Sequence, residues 1–119
     1  MFICLTGAKK NLGDFLITDR AIKLLKHIRA EEEFRVLPSW KPLDDRIDLV
    51  NSSKGIIILG GPGYRYDMYP GIYKLTLPLE KIKVPIYTLG MGWKGFPGDQ
   101  ITFEEYSFSK KSKKLLDRM

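Results

Sequence analysis

The chain has 119 residues, of which 44% are hydrophobic and 29% are charged, and its formal net charge is +6. This composition suits one domain and excludes a disordered tail and a membrane protein, because no stretch approaches the roughly 20 apolar residues of a membrane span. The excess of positive charge suits an anionic ligand, although a solvated lysine-rich helix explains much of this excess more simply. No nucleic-acid-binding module is recognisable in the sequence. With no targeting segment apparent, we expect a cytoplasmic protein.

The first part of the chain predicts a strand, a polar loop and a long helix. Residues 2–6 form a short apolar run, typical of a strand buried on both faces, and Cys4 within it is expected to be a buried, unreactive thiol. The polar loop spans residues 7–14. After it, apolar residues recur along one stripe, which predicts a helix over residues 14–30 with Asp14 in its first turn.

The rest of the chain continues this alternation. Short apolar runs predict three more strands: residues 34–37, 55–59 and 85–89. The spacing of apolar residues predicts helical segments at residues 42–52, 72–83 and 109–119. Pro78 limits the second of these to two short pieces or to one helix with a late start. Residues 96–106 predict a loop. The alternation indicates an α/β fold, a single three-layer Rossmann-like domain over residues 1–119 whose sheet of four to five strands is mostly parallel.

Three glycine-containing segments follow predicted strands: residues 7–13, 60–63 and 90–95. In an open α/β sheet, ligands bind in the crevice outside the carboxyl ends of the strands, and glycine lets backbone N–H groups approach an anion closely. The spacing matches neither the dinucleotide fingerprint nor the P-loop. Any one segment is explained by a sharp turn, but three at one edge favour a binding site.

A few side chains near these segments have both a functional and a structural interpretation. Asn11 either binds a ligand hydroxyl or caps the helix, and Asp14 is either a general base or a first-turn carboxylate. Trp93 either stacks on a sugar or base ring or packs as an anchor. His27, the one histidine, has no partner for metal binding, so no metal site is predicted. Two loop carboxylates either serve a sugar hydroxyl or are solvated: Asp67 and Asp99.

Three segments, in the same order, resemble the polysaccharide pyruvyl transferase family. The first is Asn-Leu-Gly-Asp-Phe-Leu-Ile at residues 11–17, similar to the family's N-x-G-D loop and the helix after it. The second is the apolar strand and glycine pair at residues 56–63, and the third is the strand and G-x-G turn at residues 83–95. Together they cover nearly the whole chain.

The resemblance implies one half of a two-domain enzyme with the GT-B architecture. Members of the family transfer the pyruvyl group of phosphoenolpyruvate to a sugar hydroxyl of a cell-surface polysaccharide, with no cofactor beyond that donor substrate. The N-terminal half supports the acceptor side of the cleft, and the C-terminal half carries the basic and histidine residues. The chain is thus expected to be the N-terminal half and inactive alone, with the second half supplied by a C-terminal domain or a partner chain, or as a homo-oligomer.

The candidate residues for binding the sugar or sugar-phosphate acceptor are Asn11, Gly13, Asp14, Gly60, Gly61, Gly63, Gly90, Gly92 and Trp93, and Asp14 is the one candidate for a catalytic role. Two other functions stay open. One is a stand-alone module that binds a nucleotide or a sugar phosphate without turnover. The other is an interaction subunit that completes its cleft with another chain. A large exposed apolar patch favours a domain or subunit with a docking partner over the stand-alone module.

Overall fold

The computed structural model describes residues 1–93 and 107–119. Four strands and three α-helices make up its regular structure: β1 Phe2–Thr6, α1 Leu12–Ile28, β2 Phe34–Pro38, α2 Ile47–Ser52, β3 Ile56–Tyr64, β4 Ile86–Trp93 and α3 Lys110–Leu116. Three short helical turns complete it: Asp44–Arg46, Met68–Ile72 and Leu79–Lys81. The predicted loop at residues 96–106 and its Asp99 lie outside the described residues.

The four strands form one sheet in the order β2-β1-β3-β4, and every described pairing is parallel. The prediction of an α/β fold with a parallel sheet is confirmed. After β1 the chain places β2 on one side of β1, and it later places β3 on the opposite side of β1. The order of the strands therefore reverses beside β1, which is where ligands bind in folds of this type.

Side chains of the strands alternate between two cores, one on each face of the sheet. On the face covered by α1, a small cluster contains Cys4, Ala21, Ile57 and Leu59. A larger cluster lies on the opposite face, where α2, α3 and residues 68–82 pack against the other strand positions. Because both faces of the sheet are covered, the domain has three layers, as the sequence predicted.

Helix α1 begins two residues earlier than predicted because Asn11, and not Asp14, is its N-cap. The Asn11 side chain accepts a hydrogen bond of 2.8 Å from the backbone N–H of Gly13. Asp14 lies in the first turn and Lys26 in the last, so both charges suit the helix dipole, and His27 also lies in the last turn. The helix ends at Ile28, two residues short of the predicted limit.

Several other elements have bounds that differ from the predicted ones. Residues 72–83 do not form a helix; one turn ends at Ile72 and another spans Leu79–Lys81, with Pro78 at the N-cap of the second. Between them Leu75 has a φ of 43°, outside the helical region. Strands β3 and β4 each continue through the glycines that were predicted to end them. The predicted C-terminal helix is confirmed over a shorter range, with Ser109 as its N-cap.

Cys4 lies in the centre of the sheet and is fully buried. Burial raises the pKa of its thiol from 9.0 to about 11, so little reactive thiolate exists at neutral pH. We expect the folded protein to react with a thiol reagent only as fast as it unfolds, whereas denatured protein reacts at once. Rapid labelling of the folded chain at neutral pH, measured by mass spectrometry, would contradict a buried Cys4.

Candidate functional site

Small residues occupy one level across the carboxyl edge of all four strands. Leu5 aligns with Ile58, and Ile58 aligns with Thr88. Two residues further along each strand, this register brings Gly7, Gly60 and Gly90 to the same level. Thr6 aligns with Pro38, so the residue beside Gly7 on the remaining strand is Ser39. Gly7 and Gly90 are exposed and Gly60 is half-buried, so this part of the sheet edge is accessible to a ligand, whereas Ser39 is buried.

The second glycine segment and the described part of the third, residues 90–93, are strand extensions and not loops, which corrects the prediction from sequence; residues 94 and 95 lie outside the described residues. Gly60, Gly61 and Gly63 belong to β3, while Gly90 and Gly92 belong to β4. A Cβ atom on Gly60 would lie 2.7 Å from the carbonyl oxygen of Gly90, so only glycine permits this approach of the two backbones. Gly61 and Gly90 also have positive φ values, 125° and 74°.

The outer part of this extension is filled by a tyrosine. A Cβ atom on Gly63 would collide with the hydroxyl of Tyr73, a buried side chain whose pKa is raised by burial to about 12. Gly92 differs from the other strand glycines, because a Cβ atom at that position would have no described atom within 4 Å and its φ is not positive. Gly63 thus has a packing role, whereas nothing in the described fold requires glycine at position 92.

The loop after β1 is held by hydrogen bonds, and it presents its N-cap residue to solvent. Thr6 Oγ1 accepts a hydrogen bond of 3.0 Å from the backbone N–H of Ala8 and lies 2.6 Å from the hydroxyl of Thr18. Asn11 is exposed, and its oxygen serves the cap. This bond fixes the orientation of the Asn11 side chain, including its NH2 group. Asp14, three residues later, is half-buried.

Trp93 stands further from this loop than the sequence suggested. It lies three residues beyond Gly90, about 10 Å at the usual rise per strand residue. Its ring is tilted against Tyr64 at 5.3 Å and Phe108 at 6.4 Å between ring centroids, yet 48% of the residue is exposed. The ring therefore packs as an anchor, which agrees with the packing interpretation of Trp93.

His27 and Asp67 do not join the row of small residues. Fifteen positions separate His27 from the start of α1, about 22 Å along a helix, so it lies away from the carboxyl edge. Asp67 is exposed before the turn at Met68. Among the described residues, no three His, Cys, Asp or Glu side chains converge to hold a metal ion. Nor does that part of the chain contain a helix long and apolar enough to cross a membrane.

A pocket that the sequence analysis missed lies at the carboxyl end of β2. It has a volume of about 570 Å³ and is lined by Leu37, Pro38, Lys41, Pro42, Leu43, Asp44, Asp45 and Arg46. Beside it, the ammonium group of Lys9 lies 5.1 Å from the centroid of a Trp40 ring. The available signal was a proline-containing segment with four charged residues directly after a strand, at the edge where ligands bind.

The outer face of α1 is unusually apolar for a surface helix. Ala21 is the one buried residue of this helix, and six large apolar side chains are exposed: Leu12, Phe15, Leu16, Ile17, Leu24 and Ile28. Between α1 and β4 an apolar groove of about 480 Å³ contains Leu16, Leu24 and Leu89. Exposed apolar surface of this extent is a common property of interaction faces.

The comparison with protein families finds one family model that covers nearly the whole chain. The family model described as polysaccharide pyruvyl transferase matches residues 11–118, nearly the whole chain. No curated protein and no solved structure matches. The family match begins at the cap residue Asn11 and includes both strand extensions. On this match, the chain belongs to the polysaccharide pyruvyl transferase family.

Proposed function

We propose that this domain is the acceptor side of a pyruvyl transferase that moves the pyruvyl group of phosphoenolpyruvate to a sugar hydroxyl of a cell-surface polysaccharide, in the cytoplasm. The family match over residues 11–118 carries this proposal. The glycines of the row, Gly7, Gly60 and Gly90, support it, because their accessible backbone offers a surface on which a sugar ring can lie. Asn11 and Asp14, at the start of α1, supply polar groups for its hydroxyls.

The reaction requires an acid, a base and cations, and this chain offers only some of them. A proton must reach the methylene carbon of phosphoenolpyruvate, while a first acceptor hydroxyl adds to the neighbouring carbon and loses its own proton. A second hydroxyl of the acceptor then replaces the phosphate on that carbon, which closes the ketal, and the departing inorganic phosphate carries away the second hydroxyl's proton. In this proposal Asp14 receives the proton of the first hydroxyl, and backbone N–H groups of the edge orient the sugar. The one histidine is remote from the edge, so the acid and the donor's cations come from a second half of the cleft.

Two features support the need for a second half. The exposed apolar face of α1 needs a cover, and in the described part of the chain no strand pairs with the outer edge of β4. These features favour a domain or subunit with a docking partner over a stand-alone module that binds a nucleotide or sugar phosphate. The partner in this proposal is a second α/β half, supplied by the same polypeptide, by another chain or by a second copy.

The first test is the mass of the native protein in its source cells, measured by immunoblot with an antibody to this domain. A band well above 13.7 kDa is expected if the second half belongs to the same polypeptide. A band at 13.7 kDa would contradict that arrangement and leave a partner chain or a second copy. Phosphate release from phosphoenolpyruvate is then measured on the purified native form, with and without a polysaccharide acceptor. Acceptor-dependent release is expected, and its absence from that form would overturn the proposed reaction.

A pair of carboxylate variants tests the site. Asp14→Asn is expected to lose most of the acceptor-dependent release, because an amide cannot take the proton. Asp19→Asn on the same helix is the control, since Asp19 is exposed and forms an ion pair of 2.9 Å with Lys23. Equal activity of the two variants would limit Asp14 to a role in the helix dipole.

A further inference from the structure

The pocket at the carboxyl end of β2 is built on a fixed backbone. The N–H of Ser39 donates to the carbonyl of Thr6 at 2.9 Å, and the N–H of Leu43 donates to the carbonyl of Leu75 at 2.8 Å. The Ser39 carbonyl accepts from the N–H of Lys74 at 3.1 Å. Ser39 and Leu43 are buried, so the segment between them is held at both ends.

One of these anchors is strained. Leu75 has a φ of 43°, in the left-handed region that apolar residues other than glycine rarely occupy, and it is fully buried. A strained conformation of this kind persists only where the surrounding structure fixes it, and such positions cluster near ligand sites. Here the strained residue supplies the carbonyl that holds Leu43 in the wall of the pocket. The wall is therefore preformed and does not require a ligand to order it.

The charges of the pocket are unbalanced. Within the described residues, no carboxylate lies within 4.0 Å of Lys41 or Arg46, whereas Asp44 is paired with Lys81 at 3.0 Å. Asp45 is the remaining carboxylate of the lining. Lys9 adds a third cation at the side, over Trp40. In this part of the structure, three cations without an ion pair stand against one such carboxylate, which gives the mouth of the pocket a positive potential.

The floor and the volume indicate the size and shape of the ligand. The lining beneath these charges is apolar: Leu37, Pro38, Pro42 and Leu43. Proline and leucine carbons suit the C–H face of a sugar ring, and Asp45 can accept hydrogen bonds from its hydroxyls. A volume of about 570 Å³ suits a small molecule and not a polymer duplex.

We propose that this pocket binds an anionic sugar, with Lys41 and Arg46 holding its phosphate or carboxylate group and Asp45 a hydroxyl. The binding itself rests on the geometry of the pocket. We further infer that the bound sugar is the acceptor of the transferase, and this step rests on the proposed function. It implies that the acceptor sugar carries a negative charge close to the hydroxyls that react.

Binding is measured by amide NMR titration of the 119-residue chain with four probes: glucose, glucose 6-phosphate, glucuronate and inorganic phosphate. We expect glucose 6-phosphate or glucuronate to shift amides of residues 39–46, and glucose to shift none. If only glucose 6-phosphate binds, the anion is a phosphate; if only glucuronate binds, it is a carboxylate. Shifts with inorganic phosphate but with neither sugar would overturn the assignment to an anionic sugar.

The double variant Lys41→Ala with Arg46→Ala is expected to weaken binding about tenfold or more, because it removes two charge-assisted hydrogen bonds. Both residues are exposed, so the fold should persist, which the amide spectrum itself reports. Lys23→Ala, on α1, removes one charge elsewhere and should leave the affinity unchanged. Equal loss in the double variant and the Lys23 variant would reduce the effect to net charge and overturn the site.

The two proposals can fail separately. The native protein could fail to transfer pyruvyl groups while the pocket still binds an anionic sugar through Lys41 and Arg46. That result would overturn the proposed function and support the assignment of the pocket to an anionic sugar. Acceptor-dependent transfer with no binding at residues 39–46 would support the proposed function and overturn the assignment of the pocket. Tighter binding of a single-stranded oligonucleotide than of either sugar would overturn the choice of ligand class.

Discussion

Gly60→Ala is expected to destabilise the domain by about 1–3 kcal/mol, the usual cost of forcing extra atoms into a packed position. The new methyl group would lie 2.7 Å from the carbonyl oxygen of Gly90 and 3.3 Å from that of Leu89. Both are backbone atoms of the neighbouring strand, so no side-chain rotation relieves the contact. The two strands must separate, which weakens hydrogen bonds on either side. Urea unfolding followed by circular dichroism measures the change.

The matched control is Gly92→Ala in the neighbouring strand. No described atom lies within 4 Å of the place its Cβ would take, so we expect a change between neutral and about 1 kcal/mol more stable, the gain arising from a less flexible unfolded chain. If Gly60→Ala were as stable as the parent, the close approach of β3 and β4 would be disproved. If Gly92→Ala impaired sugar binding while leaving stability intact, position 92 would belong to the ligand site.

Leu115→Ala is expected to cost about 2–5 kcal/mol, the range for removing a fully buried leucine side chain. Leu115 is fully buried in the larger core although it lies near the end of the chain. Helix α3 is also attached by Ser112, whose hydroxyl donates to the Tyr66 carbonyl at 2.8 Å and accepts from the N–H of Tyr69 at 3.2 Å. The expected loss of stability therefore comes from a cavity in the core and not from fraying of the C-terminus.

Lys113→Ala is the control for this helix, because Lys113 is exposed and its replacement should change stability by less than about 0.5 kcal/mol. Denaturant melts of both variants, with amide hydrogen exchange of α3, separate the two outcomes. A Leu115→Ala protein with parental stability would mean that α3 is not part of the cooperative fold.

The sequence predicted those parts of the fold that depend on the spacing of apolar residues. Apolar runs predicted every strand of the sheet, and the stripe on α1 predicted that helix within two residues at each end. The lengths of β3 and β4 were missed, because glycine inside a strand usually indicates its end. The contact that reverses this rule, between Gly60 and Gly90, joins residues 30 apart in sequence and has no local signal.

The candidate site was predicted in part. The N-cap role of Asn11 followed from its position before an amphipathic helix, and the glycine segments were assigned to the correct edge. The pocket at β2 was not predicted, since Lys41 and Arg46 look like ordinary solvated residues in sequence. What makes them a pair is the long-range bond between Leu43 and Leu75, and no pattern in either segment indicates it.

The apolar face of α1 has a consequence for how the isolated chain behaves at high concentration. Six large apolar side chains exposed on one helix attract copies of the chain to one another, and the repulsion from a net charge of +6 opposes that association. Salt screens that repulsion, and the repulsion vanishes as the pH approaches the isoelectric point near 9.4. The colloidal stability of the domain is therefore greatest in dilute, mildly acidic buffer, where its charge is high and poorly screened.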